Sequence, residues 1–254
     1  MTPREWDAAT YDRVSEPQLQ WGREVLDRLP LRGDERVLDA GCGSGRVTVE
    51  LASRLPRGQV VAVDASAAMV ARAREALGSG TDVIQSDLLD LELAEPVDAV
   101  FSTATFHWIL DHDRLFARLH AALRPGGRLV AQCGGEGNVA RFVAASDRVR
   151  EREPYRGHLH GFERGTLFAG PDETARRLEA AGFVDIRCWL SDAPVVPPDP
   201  PAFLTSVCCG PHLERLPGPL HERFVEDVLA ELGEPLVLDY VRLNIDARRP
   251  KSVA

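Results

Sequence analysis

Glycine stands at alternate positions, Gly41, Gly43 and Gly45, directly after an apolar run that includes Asp39. A loop of this kind lets backbone approach a nucleoside cofactor, and a helix starting behind it turns free amide donors toward a negative group. The dinucleotide pattern G-x-G-x-x-G needs a small residue three after Gly43, where this chain has Arg46, so a nicotinamide cofactor is the weaker reading. Two more short apolar runs also end in acids, Gln59-Val-Val-Ala-Val-Asp64 and Asp82-Val-Ile-Gln-Ser-Asp87. A carboxylate at the second position can grip ribose hydroxyls, and one at the third can accept from an exocyclic adenine amine.

The segments Asp39-Ala-Gly-Cys-Gly-Ser-Gly45, Val61-Ala-Val-Asp64-Ala-Ser-Ala-Ala-Met69 and Ser86-Asp87-Leu88 together resemble the class I S-adenosylmethionine-dependent methyltransferases. The resemblance implies an α/β, Rossmann-like fold: a seven-stranded, mostly parallel sheet with a final antiparallel strand, helices on both faces and a small cap over the carboxyl edge. It implies S-adenosyl-L-methionine as cofactor, with S-adenosyl-L-homocysteine as product. The cofactor site would comprise Asp39, Gly41, Cys42 and Gly43 at the methionine and ribose end, and Asp64 and Ala65 at the ribose. Met69, Asp87 and Leu88 would lie around adenine, Ser102 and Thr103 at the fourth strand's end, and Tyr11 in a leader closing over the ligand. His107 and Trp108 are expected to meet the acceptor, with His107 the candidate base. Glu136, Asn138, His112, His158, His160 and the arginines 141, 148, 152, 156 and 164 are further candidates for the pocket.

The elements that must position these residues follow from periodicity. Apolar positions predict a helix over 17–29, a strand over 36–39, a helix near 45–55 and a strand over 59–64. Ser66 is a suitable N-cap for a helix carrying Met69, Val70, Ala73 and Leu77. Strands follow at 82–86 and 97–102, then a helix over 111–123, stopped by Pro125-Gly126-Gly127 before a strand at 128–133. Later segments predict a helix over 171–181, a strand over 183–190, a helix near 219–232 and a last strand over 236–247. The expected division is therefore lid helices in 1–30, a cofactor-binding core in 31–134, cap insertions in 135–170 and 191–235, and completion of the sheet by 171–190 and 236–254.

Composition narrows the function classes. The 254 residues suffice for one α/β unit, and a net charge of −9 repels nucleic acid and anionic membranes. No segment approaches 18 apolar residues, so a soluble, cytoplasmic protein without a membrane partner is expected. Five cysteines without paired spacing predict free thiols and no metal site. Lys251 is the only lysine, which leaves pyridoxal phosphate and P-loop chemistry without a residue.

A wider likeness narrows the acceptor. The leader, Phe101-Ser-Thr-Ala-Thr-Phe-His-Trp108, the Asp111-His-Asp-Arg-Leu-Phe helix and Arg124-Pro-Gly-Gly127 resemble the trans-aconitate 2-methyltransferase branch. That likeness implies O-methylation of a carboxylate on a small molecule. An alcohol, amine or carbon acceptor, or a non-catalytic protein that keeps the cofactor site, are the alternatives. Ser102-Thr-Ala-Thr stands where an N-P-P-Y tetrapeptide would indicate amide or base methylation.

Overall fold

The structure is a computed structural model and describes residues 16–252. Tyr11 and the rest of the leader lie outside the described residues. Seven strands form one sheet: β1 (Arg36–Ala40), β2 (Gln59–Asp64), β3 (Asp82–Gln85), β4 (Val97–Thr103), β5 (Leu123–Gly134), β6 (Val184–Asp192) and β7 (Val241–Arg248). Their spatial order is β3-β2-β1-β4-β5-β7-β6, with β7 antiparallel to both neighbours. The remaining pairs are parallel, and β1 and β4 are buried apolar runs because helices cover both faces. The chain leaves β1 toward β2 on one side and returns to β4 on the other. Such a switch point opens a crevice at the carboxyl ends of the strands.

Pleating decides which helix each residue meets. On β1, Leu38 and Ala40 join the core that holds Leu115, Phe116 and Leu119 of α4 (His112–Ala122). Val37 joins the other core, with Val25 and Leu26 of α1 (Glu16–Arg28) and Leu51 of α2 (Arg46–Ser53). Asp39 is in phase with Val37, so its carboxylate meets α2, where the Thr48 hydroxyl donates to it at 2.7 Å. Helix α3 (Ala67–Leu77) starts where the Ser66 side chain accepts from the Met69 amide, as the N-cap reading required.

A third cluster gathers residues of the insertions expected to form a cap. It joins Phe142, Ala145 and Val149 of α5 (Ala140–Arg150), and Leu159 of α6 (Arg156–Leu159), to Phe203 of α8 (Pro200–Phe203). Leu213 of α9 (Gly210–Leu213) and Phe224, Val225 and Val228 of α10 (His221–Leu232) complete it, with Trp21 of α1. Helix α7 (Pro171–Ala180) instead packs Leu178 into the sheet core. The last strand is shorter than its apolar pattern predicts. Leu236, Leu238 and Tyr240 belong to the cap cluster, Leu238 forms only a lone bridge with Val195, and the Tyr240 ring packs 5.1 Å from Trp21. The residues are buried, which gives them a strand-like pattern, but they are buried against helices rather than in the ladder.

Phe101, fully buried in β4, should be the costliest single truncation in the sheet: Phe101→Ala is expected to lower unfolding free energy by about 3–5 kcal/mol in urea denaturation.

Candidate functional site

The glycine loop between β1 and α2 is tied to the neighbouring strand. The amides of Gly41 and Cys42 both donate to the Val63 carbonyl, at 2.8 and 2.9 Å, and the Gly43 amide donates to Asp64 Oδ2 at 2.9 Å. Gly41 has φ +88°, and a Cβ there would lie 2.1 Å from Thr105 Oγ1, so only glycine fits. Gly43 has φ +54°, and its missing side chain leaves open space. Behind the loop, α2 begins at a left-handed Gly45, which itself offers no side-chain cap.

These elements border a cavity of about 860 Å³ at the carboxyl ends of β1 to β4. It receives Asp39, Gly41, Cys42, Gly43, Asp64, Ala65, Met69, Asp87, Leu88, Thr103 and Trp108, which come from four strand ends and two helices. Asp64 is fixed between the Gly43 amide on Oδ2 and the Ser66 amide on Oδ1, both at 2.9 Å. A carboxylate so oriented has the acceptor chemistry that a ribose hydroxyl needs. Asp87 Oδ1 accepts from the Leu89 amide at 2.9 Å, which holds its carboxylate at the rim. Met69 and Leu88 are buried and present apolar surface suited to a flat ring.

Asp39 is a strongly perturbed acid in the cavity. Burial pushes its pKa from the usual carboxylate range up to about 7, with the Asp64 charge adding to the rise and the Thr48 hydrogen bond opposing it. Thr48 holds Oδ2, while Oδ1 is buried and has no partner among the described residues. A buried acceptor of this kind fits an ammonium group, which would both fill the missing bond and restore the charged form.

Two expected site residues are placed differently. The Ser102 side chain points away from the cavity and donates to the Ala40 carbonyl at 2.6 Å, binding β4 to β1. The pleat puts Thr103, one residue on, into the cavity instead. His107 does not reach the large cavity either; it lines a smaller recess of about 80 Å³ beside it. Burial and the nearby Arg242 charge hold its pKa well below the usual imidazole value, and Nδ1 accepts from the Gly134 amide at 3.3 Å. The neutral ring therefore carries its proton on Nε2. Nδ1 is unavailable as a base.

Among the other candidates, Arg164 lines both cavities, and Asn138 lines the recess. Arg148 and Arg152 pair with Glu231, Arg141 bonds to the Leu232 and Val237 carbonyls, and His112 Nε2 is bonded to the Phe106 carbonyl. Gln18, Phe162, Pro211 and Arg215 line the large cavity without having been singled out from the sequence. Gln18 lies on a helix recognisable by its period, but nothing in the period marks the polar position as facing a ligand. Among the described residues, no group of three His, Cys, Asp or Glu side chains is placed to hold a metal, and no helix is long and apolar enough to cross a membrane.

A family model described as a methyltransferase domain matches residues 37–127. The trans-aconitate 2-methyltransferase of Deinococcus radiodurans is 31% identical over 262 residues, covering 97% of this chain and 99% of that protein. The enzyme of the same name from Acidovorax sp. (strain JS42) is 36% identical over 246 residues, covering 91% and 90%. Among solved structures, the YcgJ protein of Bacillus superposes with a TM-score of 0.64 at 14% identity, over 92% of this chain and 99% of that one, and so shares the fold. Coverage of nearly the whole length by a relative above 30% identity, with the seven-stranded sheet and the strand-end acids already described, places the chain in the class I S-adenosylmethionine-dependent methyltransferases, within the trans-aconitate 2-methyltransferase branch.

Proposed function

We propose that this enzyme methylates a carboxylate oxygen of a small acid. The observation that carries the reading is the make-up of the cavity wall beyond the glycine loop. At the end of β4 this wall is Thr103, Ala104, Thr105 and Trp108, none of which ionises near neutral pH, while Arg164 and Arg215 line the cap side beside Glu163 and Glu214. A carboxylate arrives already ionised and needs no base, whereas an alcohol must lose a proton during transfer. The two trans-aconitate 2-methyltransferases matched over most of their length support an acid as acceptor.

In this reading Asp39 Oδ1 and the N-terminal end of α2 hold the ammonium and carboxylate of the methionine moiety. Asp64 holds the ribose hydroxyls, and Asp87 the adenine amine between Met69 and Leu88. When bound, S-adenosylmethionine supplies a methyl group already activated on a sulfonium. The protein's task is then to fix the acceptor oxygen in line with that methyl and keep water out. Arg164 suits the first task because it is itself fixed, donating to Asp147 Oδ1 at 2.7 Å and to Ser146 Oγ at 3.2 Å, with Phe142 and Phe162 about its guanidinium.

Transfer of radiolabelled methyl from S-adenosylmethionine to a panel of carboxylic acids, followed by mild alkali, is expected to release the label as volatile methanol. Base-stable label would replace the ester with an ether, amine or carbon product. Asp64→Ala is expected to weaken S-adenosylhomocysteine binding by about 1.5–3 kcal/mol in calorimetry, the range for a hydrogen bond to a charged group. The affinity should also fall as pH drops through about 7, because Asp39 is then protonated and no longer attracts the ammonium. The sign for the ligand-free protein is opposite: its folded-state pKa exceeds the unfolded one, so the native state holds the extra proton, and stability declines as pH rises from about 4 toward 7. Thermal melts with and without ligand across this window check both signs, and Asp39→Asn should flatten both profiles.

A further inference from the structure

At the opposite edge of the sheet from the cavity, two arginines stand face to face. Arg128, which begins the regular pairing of β5 with β4, lies directly across from Arg248, the last residue of β7. Side chains so opposed share one face, with Cβ atoms about 4.5–5.5 Å apart, and like charges there repel. Both residues are half-buried, so solvent screens the repulsion incompletely. Burial and the Arg248 charge hold the Arg128 pKa below the usual guanidinium value. Acids outnumber bases 39 to 30 in this chain, and Arg54, Arg124 and Arg152 each have a carboxylate beside them. Among the described residues, neither the Arg128 nor the Arg248 side chain has such a partner. Asp246, two positions back along β7 on the same face, lies 3.5 Å from Arg28 of α1.

A third guanidinium reaches this face through an irregularity in β6. Val184 lies opposite Arg248, so an unbroken antiparallel ladder would set Ile186 opposite Asp246. The register shifts between the two pairs, and Arg187 takes that place instead. One extra residue in a strand exchanges the faces of everything beyond it. Ile186 therefore packs against the core under α7, while Arg187 turns to the side of α1. The Trp189 ring marks that side: the Arg187 guanidinium lies 5.4 Å from its centre and the Arg28 guanidinium 4.9 Å. Arg187 is diagonal to Arg248, a spacing of about 7–8 Å that long side chains span. Asp185, inside the bulge, has φ +53°, a conformation that costs energy and persists where the surroundings enforce it, commonly at ligand sites.

We propose that Arg128, Arg248 and Arg187 bind a small oxyanion of the phosphate class at a site separate from the cofactor cavity. A tetrahedral oxyanion presents acceptors to several guanidinium forks at once, so a single ion can satisfy donors that otherwise repel each other. The site lies at the amino ends of β4 and β5, whereas the cavity lies at the carboxyl ends of β1 to β4. The proposal is therefore independent of the acceptor reading.

The test is calorimetry on the whole chain with inorganic phosphate and, separately, methyl phosphate, both at constant ionic strength in chloride. Saturable binding is expected, weakened at least about tenfold in Arg128→Gln and in Arg248→Gln, the low end for a hydrogen bond to a charged group. S-adenosylhomocysteine affinity should stay at the wild-type value in both variants. In thermal melts without phosphate, each variant should melt at or above the wild-type temperature because a repulsion is removed, and phosphate should raise only the wild-type midpoint. If neither variant folds, Arg187→Gln, on the exposed edge strand, should weaken phosphate binding in the same way. Binding of inorganic phosphate alone supports the free ion as ligand, and binding of both probes supports a phosphomonoester as well. Absence of saturable binding by either probe, or an affinity that survives the substitutions, overturns the site.

Discussion

A buried carboxylate with one oxygen bonded and the other empty is the constraint around which this site is arranged. Asp39, one residue before the end of β1, faces α2, where Thr48 satisfies Oδ2 and, among the described residues, nothing satisfies Oδ1. Burial makes the charged form unfavourable, and the adjacent Asp64 makes it more so. Such a group is a poor contributor to the stability of the empty protein, yet it is a strong partner for a cation that displaces its proton. The surrounding loop depends on the same geometry. Gly41 can pass close to Thr105 only without a side chain, and its amide and that of Cys42 are anchored on β2.

The two sides of the cavity are built by different means. The sheet side is regular: parallel strands end at one edge, so Asp39, Asp64 and Asp87 line one cavity through backbone periodicity alone. The cap side is irregular, with short helices, a π turn and residues at positive φ, and its polar groups are set by tertiary contacts. Arg164 is held by Asp147 and two aromatic rings, and Arg242 lies over Trp21 of α1. On the proposed reading, the regular side holds the constant methyl donor and the irregular side selects the acceptor.

This division also explains what the sequence revealed. The glycine spacing, the three strand-end acids and the Ser66 cap are local signals, readable because each depends on neighbours within a few residues. Ser102 and Thr103 show the limit. Both close the same strand, and a phase difference of one residue sends Ser102 to the Ala40 carbonyl and Thr103 to the cavity. His107 was noticeable as an ionisable residue near a strand end, but its environment comes from Gly134, Phe168 and Arg242, far away in the chain. The end of the sheet was misread for a related reason: apolar spacing at Leu236, Leu238 and Tyr240 reports burial and does not say whether a strand or a helix supplies the partner.

The most direct test of the central claim is a calorimetric cycle at neutral pH, with S-adenosylhomocysteine and its deaminated analogue each titrated into the wild-type protein and Asp39→Asn. If Asp39 meets the ammonium, removing the amino group should cost the wild type at least about tenfold in affinity and the variant little, so the two losses are not additive. Equal loss in both proteins would contradict the account, showing that the amino group is held elsewhere and that the buried carboxylate serves another purpose.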